Sequence, residues 1–190
     1  MIVVKIGGGG GIDLEACCDD LAGIARNERV VLVHGGSQAA TQLGDALGHA
    51  PAFLTAPSGV RSRYTDARTL EIFTMALARI NTAVVAALQA RQINALGLSG
   101  VDGRILEARR KEAVVAVEPD GRRRVIRDDR SGILERVDVS LVSALLAMGY
   151  LPVISPPAYS PDGPVNVDGD RAAALVATAL QADALVILTN

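Results

Sequence analysis

Short apolar runs alternate with amphipathic helical patterns along almost the whole of this 190-residue chain. The runs have the length of buried strands, and the patterns between them carry apolar residues three or four positions apart. The predicted strands are 2–6, 30–33, 93–98, 151–155 and 184–188, and the predicted helices are 14–26, 39–47, 65–90, 139–148 and 170–180. This alternation predicts an α/β fold: a three-layer αβα sandwich with a mostly parallel open sheet and helices on both faces.

The first predicted helix carries its apolar residues at helical spacing. Leu14, Cys17, Leu21 and Ile24 recur every three or four positions and are expected to form its buried face. Cys17 and Cys18 are the only two cysteines, and adjacent helical residues are poorly placed to bridge each other. We therefore expect reduced, partly buried cysteines in a cytosolic protein. No cluster of cysteines or histidines surrounds them, so no metal site is predicted.

Two segments interrupt the alternation of strands and helices. Residues 53–64 are rich in Ser, Gly and Pro and are expected to be irregular, with Thr65 or Asp66 capping the long helix that follows. Residues 105–137 combine short β-like pieces with turns, which predicts a β-hairpin excursion from the main sheet. The apolar run at the N-terminus spans only a few residues, so neither a signal peptide nor a membrane span is predicted.

Positive charge is carried almost entirely by arginine, with seventeen arginines against two lysines. One of the lysines, Lys5, lies just before the run Gly7–Gly11, and the other is Lys111. An ammonium is a compact point charge on a flexible stem, which suits a phosphate that moves during a reaction. A glycine loop after a strand lets backbone N–H groups approach an anion. The pattern predicts phosphate binding, with an ordinary flexible turn as the alternative.

Two familiar phosphate-binding motifs are absent from this glycine run. A P-loop requires a Gly-Lys pair before Ser or Thr, and no Gly-Lys pair occurs in the chain. A dinucleotide fingerprint requires a third glycine in register, but Gly11 is followed by Ile12 and Asp13. The phosphate site, if present, is therefore of a different kind.

A second glycine loop follows the next predicted strand. His34, Gly35, Gly36 and Ser37 stand at the start of a helix, where N–H groups and the helix dipole favour anions and Ser37 could act as a cap. His34 alone is more typical of a hydrogen-bonded strand-end histidine than of an acid or base. Because strand exits of an open α/β sheet face one crevice, the two glycine loops are expected to share a site.

Two further segments carry candidate site residues. Asn166 and Asp170 precede and open an alanine-rich helix, where Asp170 could be a helix cap or could organise basic groups around a transferred phosphate. Asn166 could hydrogen-bond a substrate carboxylate or amide. Arg63, in the loop before the long helix, could clamp a carboxylate with two hydrogen bonds, or could be an ordinary solvated arginine.

Taken together and in this order, these motifs resemble the amino acid kinase superfamily and, more narrowly, its acetylglutamate kinase branch. Residues 5–8 match the N-terminal K-x-G-G pattern, and residues 34–36 match the second glycine loop. Arg63 falls on the arginine of the R-x-T-D pattern that holds the substrate carboxylate. Asn166 and Asp170 fall on the N-x-x-x-D pair.

The resemblance implies that a carboxylate attacks the γ-phosphate of ATP and yields an acyl phosphate and ADP. Proteins that catalyse phosphoryl transfer mainly align the reactants and neutralise charge on the transferring oxygens. Lys5 and the N–H groups of Gly8, Gly35 and Gly36 would neutralise that charge, and Asp170 would orient Lys5. Magnesium would be carried by the nucleotide, with no metal site of the protein's own.

The resemblance also divides the pocket between the two reactants. The substrate-binding set would be Gly35, Gly36, Arg63 and Asn166. The glycines Gly7 and Gly8 would contact ATP, and Lys5 and Asp170 would be the catalytic pair.

Within the branch, the chain is similar to relatives that phosphorylate α-aminoadipate, and in some cases glutamate, attached to a small acidic carrier protein of the LysW type. Residues 166–173 read N-V-D-G-D-R-A-A instead of the N-V-N-A-D-Q-A-A that is usual in acetylglutamate kinase. Residues 62–66 and 98–104 also resemble these relatives. Between Arg104 and Arg136 there are ten basic and seven acidic residues, a net charge of +3 in a chain of −2. A basic hairpin could steer an acidic partner, or could be ordinary solvated surface.

Several expectations remain about the protein as a whole. Family members continue past residue 190 and carry there most of the ATP pocket and a second catalytic lysine, so domain 1–190 is expected to hold the acceptor-binding lobe and the start of the nucleotide-binding lobe. We therefore expect weak or absent kinase activity of this chain. The alternatives are an N-acetylglutamate kinase of arginine biosynthesis and a non-catalytic binding module. A cytoplasmic homodimer is expected, with neither nucleic acid nor membrane as a partner.

Overall fold

The computed structural model describes residues 1–189, so Asn190, the last residue of the predicted domain 1–190, lies outside the described residues. Five parallel strands form the central sheet in the order β11-β1-β2-β10-β5. The strands are β1 (Ile2–Ile6), β2 (Val30–His34), β5 (Ala95–Gly100), β10 (Leu151–Ala158) and β11 (Ala184–Leu188). The helices are α1 (Leu14–Ala25), α2 (Ser37–Ala46), α3 (Ala67–Ala90), α4 (Ser140–Ala147) and α5 (Gly169–Ala179). The ends of these strands and helices differ from the predicted ends by up to three residues.

Side chains of the strands point alternately to the two faces of the sheet and pack in an apolar layer on each face. On one face, Val3, Val31 and Ile154 pack with buried residues of α4 and α5. On the other face, Val4 and Leu32 pack with buried residues of α1 and α3. The predicted αβα sandwich is confirmed, and its parallel strands open their carboxyl ends toward a common edge.

Three small antiparallel sheets lie outside the central sheet. They pair β3 (Phe53–Thr55) with β4 (Arg61–Arg63), β6 (Leu106–Arg110) with β9 (Gly132–Val137), and β7 (Val114–Val117) with β8 (Arg123–Ile126). The last two pairs form the predicted β-hairpin excursion. The first pair corrects the expectation that residues 53–64 are irregular. A guanidinium over an aromatic ring stabilises this pair, since Arg61 lies 4.5 Å from the centre of the Phe53 ring.

The buried face of α1 differs from the predicted one. Cys18, Leu21 and Ala22 are buried, whereas Cys17 is only partly buried and Ile24 is 38% exposed. Helical spacing alone allows two neighbouring faces, and the small side chains Cys18 and Ala22 occupy the inner one. Both cysteines are free thiols, and burial raises the pKa of each.

The N-cap of α3 follows the prediction. The side chain of Asp66 accepts a hydrogen bond of 2.7 Å from the backbone N–H of Thr69. This bond satisfies one of the helix's unpaired N–H groups and fixes where α3 begins. The residues just before the cap, including Arg63, are thereby held near the carboxyl ends of the strands.

By length and composition α3 is also a candidate membrane span, the single such helix among residues 1–189. In the fold, however, its side chains Val84 and Leu88 pack on the sheet, and Leu77 packs in a cluster with residues of α2. Asn81, on the same helix, donates a hydrogen bond of 3.0 Å to the carbonyl of Val153 in β10. These are the contacts of a core helix.

Shortening a buried side chain of α3 should destabilise the protein. Leu88 is 0% exposed, so Leu88→Ala should lower the free energy of unfolding by about 2–5 kcal/mol through lost burial and a cavity. Met75, on the same helix, is 46% exposed, so Met75→Ala should change it by about 0.5 kcal/mol or less. Urea titrations of both variants measure this. Equal losses in the two variants would contradict the packing of α3 on the sheet.

Candidate functional site: an anion-receptive pocket at the carboxyl ends of the strands

The two glycine loops meet at the carboxyl ends of the adjacent strands β1 and β2. A Cβ atom placed on Gly8 would overlap the backbone N of Gly36 and would lie 2.5 Å from the backbone N of Ser37. A Cβ on Gly35 would lie 2.8 Å from the backbone N of Gly8. Such distances leave room only for hydrogen, so glycine is required because two backbones pass each other.

The N–H groups in this crevice differ in whether they are available. Within residues 1–189, those of Gly8, Gly36 and Ser37 have no hydrogen-bond partner, and the last two open α2, where the helix dipole favours an anion. The N–H of Gly35 was also predicted to bind the anion. That prediction is wrong, because this N–H donates to the carbonyl of Ile6 at 2.8 Å. Ser37 does not cap α2 with its side chain either, since Gly36 is the N-cap.

Lys5 reaches this crevice from β1 and forms an ion pair with the start of α5. Its Nζ lies 2.6 Å from Oδ1 of Asp170, and Lys5 is only 8% exposed. Asp168, not Asp170, is the N-cap of α5, because its side chain accepts from the backbone N–H of Arg171 at 2.7 Å. Asp170 is therefore left to hold the ammonium of Lys5 at the mouth of the crevice.

Arg63 enters the same pocket from β4. Its Nη2 donates to the carbonyl of Ser37 at 3.0 Å, to the hydroxyl of Ser37 at 3.1 Å and to the hydroxyl of Thr41 at 2.8 Å. Burial lowers the pKa of the guanidinium. Its hydrogen bonds go to neutral oxygens of α2, so the charge of Arg63 is held in place without a bonded carboxylate.

Asn166 lines the same pocket and is fixed by hydrogen bonds of its backbone. Its N–H donates to the carbonyl of Arg130 at 2.9 Å, and its carbonyl accepts from the N–H of Gly132 at 2.8 Å. Its side-chain Nδ2 donates to the hydroxyl of Thr65 at 3.3 Å. The amide is therefore anchored between the loop before α3 and the base of the excursion.

A buried carboxylate joins these two segments. Asp129 is 2% exposed, and its oxygens accept from the N–H of Thr65 at 3.0 Å and from the N–H of Ser131 at 2.8 Å. Nearby, the hydroxyl of Tyr64 donates to Asp128 at 2.6 Å, which raises the pKa of Tyr64 to about 12. The residues that follow Arg63 are thus hydrogen-bonded to the segment between β8 and β9.

These groups line one open cavity of about 400 Å³. Of the predicted site residues it brings together Lys5, Gly8, Gly35, Gly36, Arg63, Asn166 and Asp170. Gly7 does not line it, since its N–H continues the sheet by donating to the carbonyl of Leu188 at 2.9 Å. Sequence reasoning named Ser37 only as a possible helix cap, and it did not single out Ser62, Ser131 or Asp168 as pocket residues. Above all it missed Lys111. The rarity of lysine was the available signal for the last.

His34 is buried at the end of β2 and does not line this cavity. The Nδ1–H donates to the carbonyl of Gly35 at 3.0 Å, which leaves Nε2 to accept from the amide of Asn81 at 3.1 Å. Burial lowers the pKa of His34, so the ring is neutral in the folded protein. The expectation of a hydrogen-bonded strand-end histidine is met.

Several arginines of the basic excursion are paired with carboxylates of the same segment. Arg109 pairs with Glu135 at 3.0 Å, and Arg122, Arg124 and Arg136 each lie within 4.0 Å of a nearby carboxylate. Among residues 1–189 no group of three or more His, Cys, Asp or Glu side chains is arranged to hold a metal ion.

Comparison with known proteins agrees with this architecture. The model of the amino acid kinase family matches residues 1–190. The chain belongs to the amino acid kinase family. It is 51% identical to the LysW-aminoadipate kinase of Deinococcus radiodurans and 48% identical to that of Thermus thermophilus, over its whole length. It spans 66% of the first protein and 71% of the second. A putative LysW-aminoadipate/LysW-glutamate kinase of Nitrosopumilus maritimus is 46% identical.

Solved structures share the same fold. N-acetylglutamate synthase from Neisseria gonorrhoeae, complexed with coenzyme A and N-acetyl-glutamate, superposes with a TM-score of 0.73 at 26% identity, over 99% of this chain and 41% of that one. Carbamate kinase from Giardia lamblia, bound to AMP-PNP, superposes with a TM-score of 0.62 at 15% identity, over 99% and 73%. The second likeness concerns the fold alone.

A methyl group at Gly8 should disrupt the contact between the two glycine loops. Gly8→Ala should lower the free energy of unfolding by about 1–3 kcal/mol, because the added carbon has only backbone to displace. Gly23 in α1 has open space around it, so Gly23→Ala should be neutral or stabilising by up to about 1 kcal/mol. Chemical denaturation measures both changes. A neutral Gly8→Ala would contradict the close approach.

The neutral state of His34 should make stability depend on pH. Below about pH 6.5 the unfolded chain binds a proton at this histidine that the folded protein does not, so stability falls as pH falls. Between pH 7.5 and 5.5 the unsubstituted protein should therefore lose more of its free energy of unfolding than His34→Asn does. Denaturant midpoints at several pH values measure the difference in slope, and identical slopes would contradict a neutral buried ring.

Proposed function

We propose that this protein uses ATP to phosphorylate the side-chain carboxylate of α-aminoadipate, or of glutamate, linked to a LysW-type carrier protein, as a step of lysine biosynthesis. The observation that carries the proposal is the single pocket in which the Lys5–Asp170 ion pair faces Arg63 and Asn166 across the glycine loops. The relatives named LysW-aminoadipate kinase support the acceptor, since they align with the whole chain.

The phosphoryl end of the pocket is formed by Lys5, Asp170 and the free N–H groups. Lys5 would neutralise charge on the transferring oxygens, and its ion pair with Asp170 would keep the ammonium aimed into the crevice. The N–H groups of Gly8, Gly36 and Ser37 would donate to the same oxygens. The contribution of Gly35 would be its small size, which lets the two loops close on the substrate.

The acceptor end is formed by Arg63 and Asn166. Arg63 is held against α2 by neutral oxygens, so its guanidinium would bind a carboxylate of the acceptor. The amide of Asn166 would hydrogen-bond the acceptor's carboxylate or the amide that links it to the carrier. Together they would fix the reactive carboxylate in line with the phosphoryl group, which is the main task of such an enzyme.

The pocket fits a phosphate donor on its own chemistry. The ammonium of Lys5, the start of α2 and a glycine crevice that a Cβ would fill form a receptor for anionic oxygens. ATP would supply the phosphoryl group, with Mg²⁺ held mainly by its phosphates. Lys5 and the N–H groups of Gly8, Gly36 and Ser37 would hold that end of the nucleotide.

The remaining parts of the proposal concern partners and location. The cations of the excursion would attract an acidic carrier and guide its linked amino acid to the pocket beside it. We also propose that the protein is cytoplasmic, in keeping with its free cysteines, and that it forms a homodimer.

A second candidate is N-acetylglutamate kinase activity in arginine biosynthesis. The superposition with an N-acetylglutamate synthase complexed with N-acetyl-glutamate favours this activity, because the structural similarity extends over 99% of this chain. Both candidates need the same pocket and differ in what is attached to the amino group of the acceptor.

Calorimetric titration of this chain tests the proposal directly. We expect micromolar binding of a LysW-type carrier loaded with α-aminoadipate that weakens as salt is added, and far weaker binding of the unloaded carrier. Binding of N-acetylglutamate in preference to the loaded carrier would favour the second candidate. Binding of neither would contradict both.

Removing the arginine at the acceptor end should weaken that binding. Arg63→Ala should lower the affinity for the loaded carrier at least about tenfold, because a partly buried carboxylate would lose its cation. Arg61 lies on the same strand and over the same Phe53 ring but outside the pocket, so Arg61→Ala should cost less than about threefold. Calorimetry measures both, and equal effects would contradict the role of Arg63.

A further inference from the structure

The two lysines of the chain line the same pocket. Lys5 and Lys111 are 106 positions apart in a chain with seventeen arginines, and yet both face the cavity between the glycine loops and Asn166. Lys5 has a place in the proposed phosphoryl transfer. Lys111 lies just after β6, in the turn toward β7, and has no assigned role.

Hydrogen bonds fix Lys111 on the acceptor side of the pocket. The N–H of Lys111 donates to the carbonyl of Ser131 at 3.0 Å. The residue after Ser131, Gly132, donates its N–H to the carbonyl of Asn166 at 2.8 Å. Lys111 and Asn166 therefore flank the same two-residue segment. That segment is anchored in turn by Asp129, whose buried carboxylate accepts from the N–H of Ser131.

The ammonium of Lys111 has no carboxylate within ion-pair distance among the residues that the structure describes, and it is only partly exposed. Its neighbours differ, since Arg109 pairs with Glu135 and Arg110 donates to the carbonyls of Asp129 and Arg127. A partly buried cation without a countercharge is an electrostatic cost that a bound anion would remove.

We infer that Lys111 binds a carboxylate of the acceptor, as a second cation beside Arg63. The inference rests on the proposed function. An amino acid such as aminoadipate that is linked through its nitrogen retains two carboxylates, one that reacts and one that does not. Two cations that line the pocket, Arg63 and Lys111, match that charge. The pocket would thus select dicarboxylic acceptors.

The nucleotide is a less suitable anion for Lys111. The free N–H groups that favour phosphate belong to the loops after β1 and β2, whereas Lys111 is hydrogen-bonded to the segment beside Asn166. Its contribution should therefore appear when the acceptor binds alone. Binding of the loaded carrier without ATP isolates this step.

The test uses calorimetric titration of the whole chain with two carriers. One bears α-aminoadipate, and the other bears the same amino acid with its side-chain carboxylate converted to a carboxamide. The protein variants are Lys111→Met, which removes the charge at similar length, Lys111→Arg, which keeps the charge, and Arg123→Gln. Arg123 is an exposed cation of the same excursion but lies outside the pocket, so Arg123→Gln measures the loss of one carrier-attracting surface charge alone.

We expect Lys111→Met to weaken binding of the aminoadipate carrier about tenfold, and Lys111→Arg and Arg123→Gln to weaken it less than about threefold. The unsubstituted chain should prefer the dicarboxylate carrier to the carboxamide carrier. This preference should shrink in Lys111→Met if Lys111 binds the reacting carboxylate, and persist if it binds the other.

Unchanged affinity in Lys111→Met, or a loss equal to that of Arg123→Gln, would overturn the inference and leave the proposed function in place. If the unsubstituted chain bound neither carrier, the proposed function would fail, and the inference with it. A thermal melt of each variant identifies a loss that is due to unfolding.

Discussion

The close approach of two backbones, at Gly8 and at Gly35–Gly36, is the constraint on which the site depends. The adjacent strands β1 and β2 run parallel and in register, so their loops must leave the sheet side by side. Only glycine allows them to touch, because a Cβ on Gly8 would overlap the backbone of Gly36. That contact directs the start of α2 and the free N–H groups toward the ammonium of Lys5.

The other walls of the pocket are secured by hydrogen bonds instead of apolar packing. Asp129 accepts hydrogen bonds from the N–H groups of Thr65 and Ser131. The backbone N–H and the carbonyl of Asn166 are both hydrogen-bonded to the base of the excursion. The loop with Arg63, the base of the excursion and the start of α5 are thereby joined around one cavity. A buried carboxylate of this kind is costly to leave unsatisfied, so the joint is specific in its geometry.

Much of this arrangement could be predicted from the sequence, because strand–helix alternation determines which strand ends meet. The residues 5–8 and 34–36 were expected in one crevice, and Asp66 was expected as a possible cap of α3. The neighbouring positions of Lys5 and Asp170 were implied by the family resemblance, since 165 residues separate them in the chain.

What could not be predicted depends on register and on side-chain direction. Periodicity could not tell that the N–H of Gly35 is taken by Ile6, or that Gly7 continues the sheet. It also could not tell which of two neighbouring faces of α1 turns inward. The position of Lys111 follows from hydrogen bonds between the excursion and Asn166, which no local pattern records.

The central claim is that the acceptor binds where the strands end, between the glycine loops and Asn166. The most direct measurement is a map of amide chemical shifts of ¹⁵N-labelled protein during titration with the aminoadipate-loaded carrier. We expect the largest changes at Gly36, Ser37 and Asn166 and along the neighbouring hairpins. Changes confined to the opposite end of the sheet, around Arg26 and Tyr150, would contradict it.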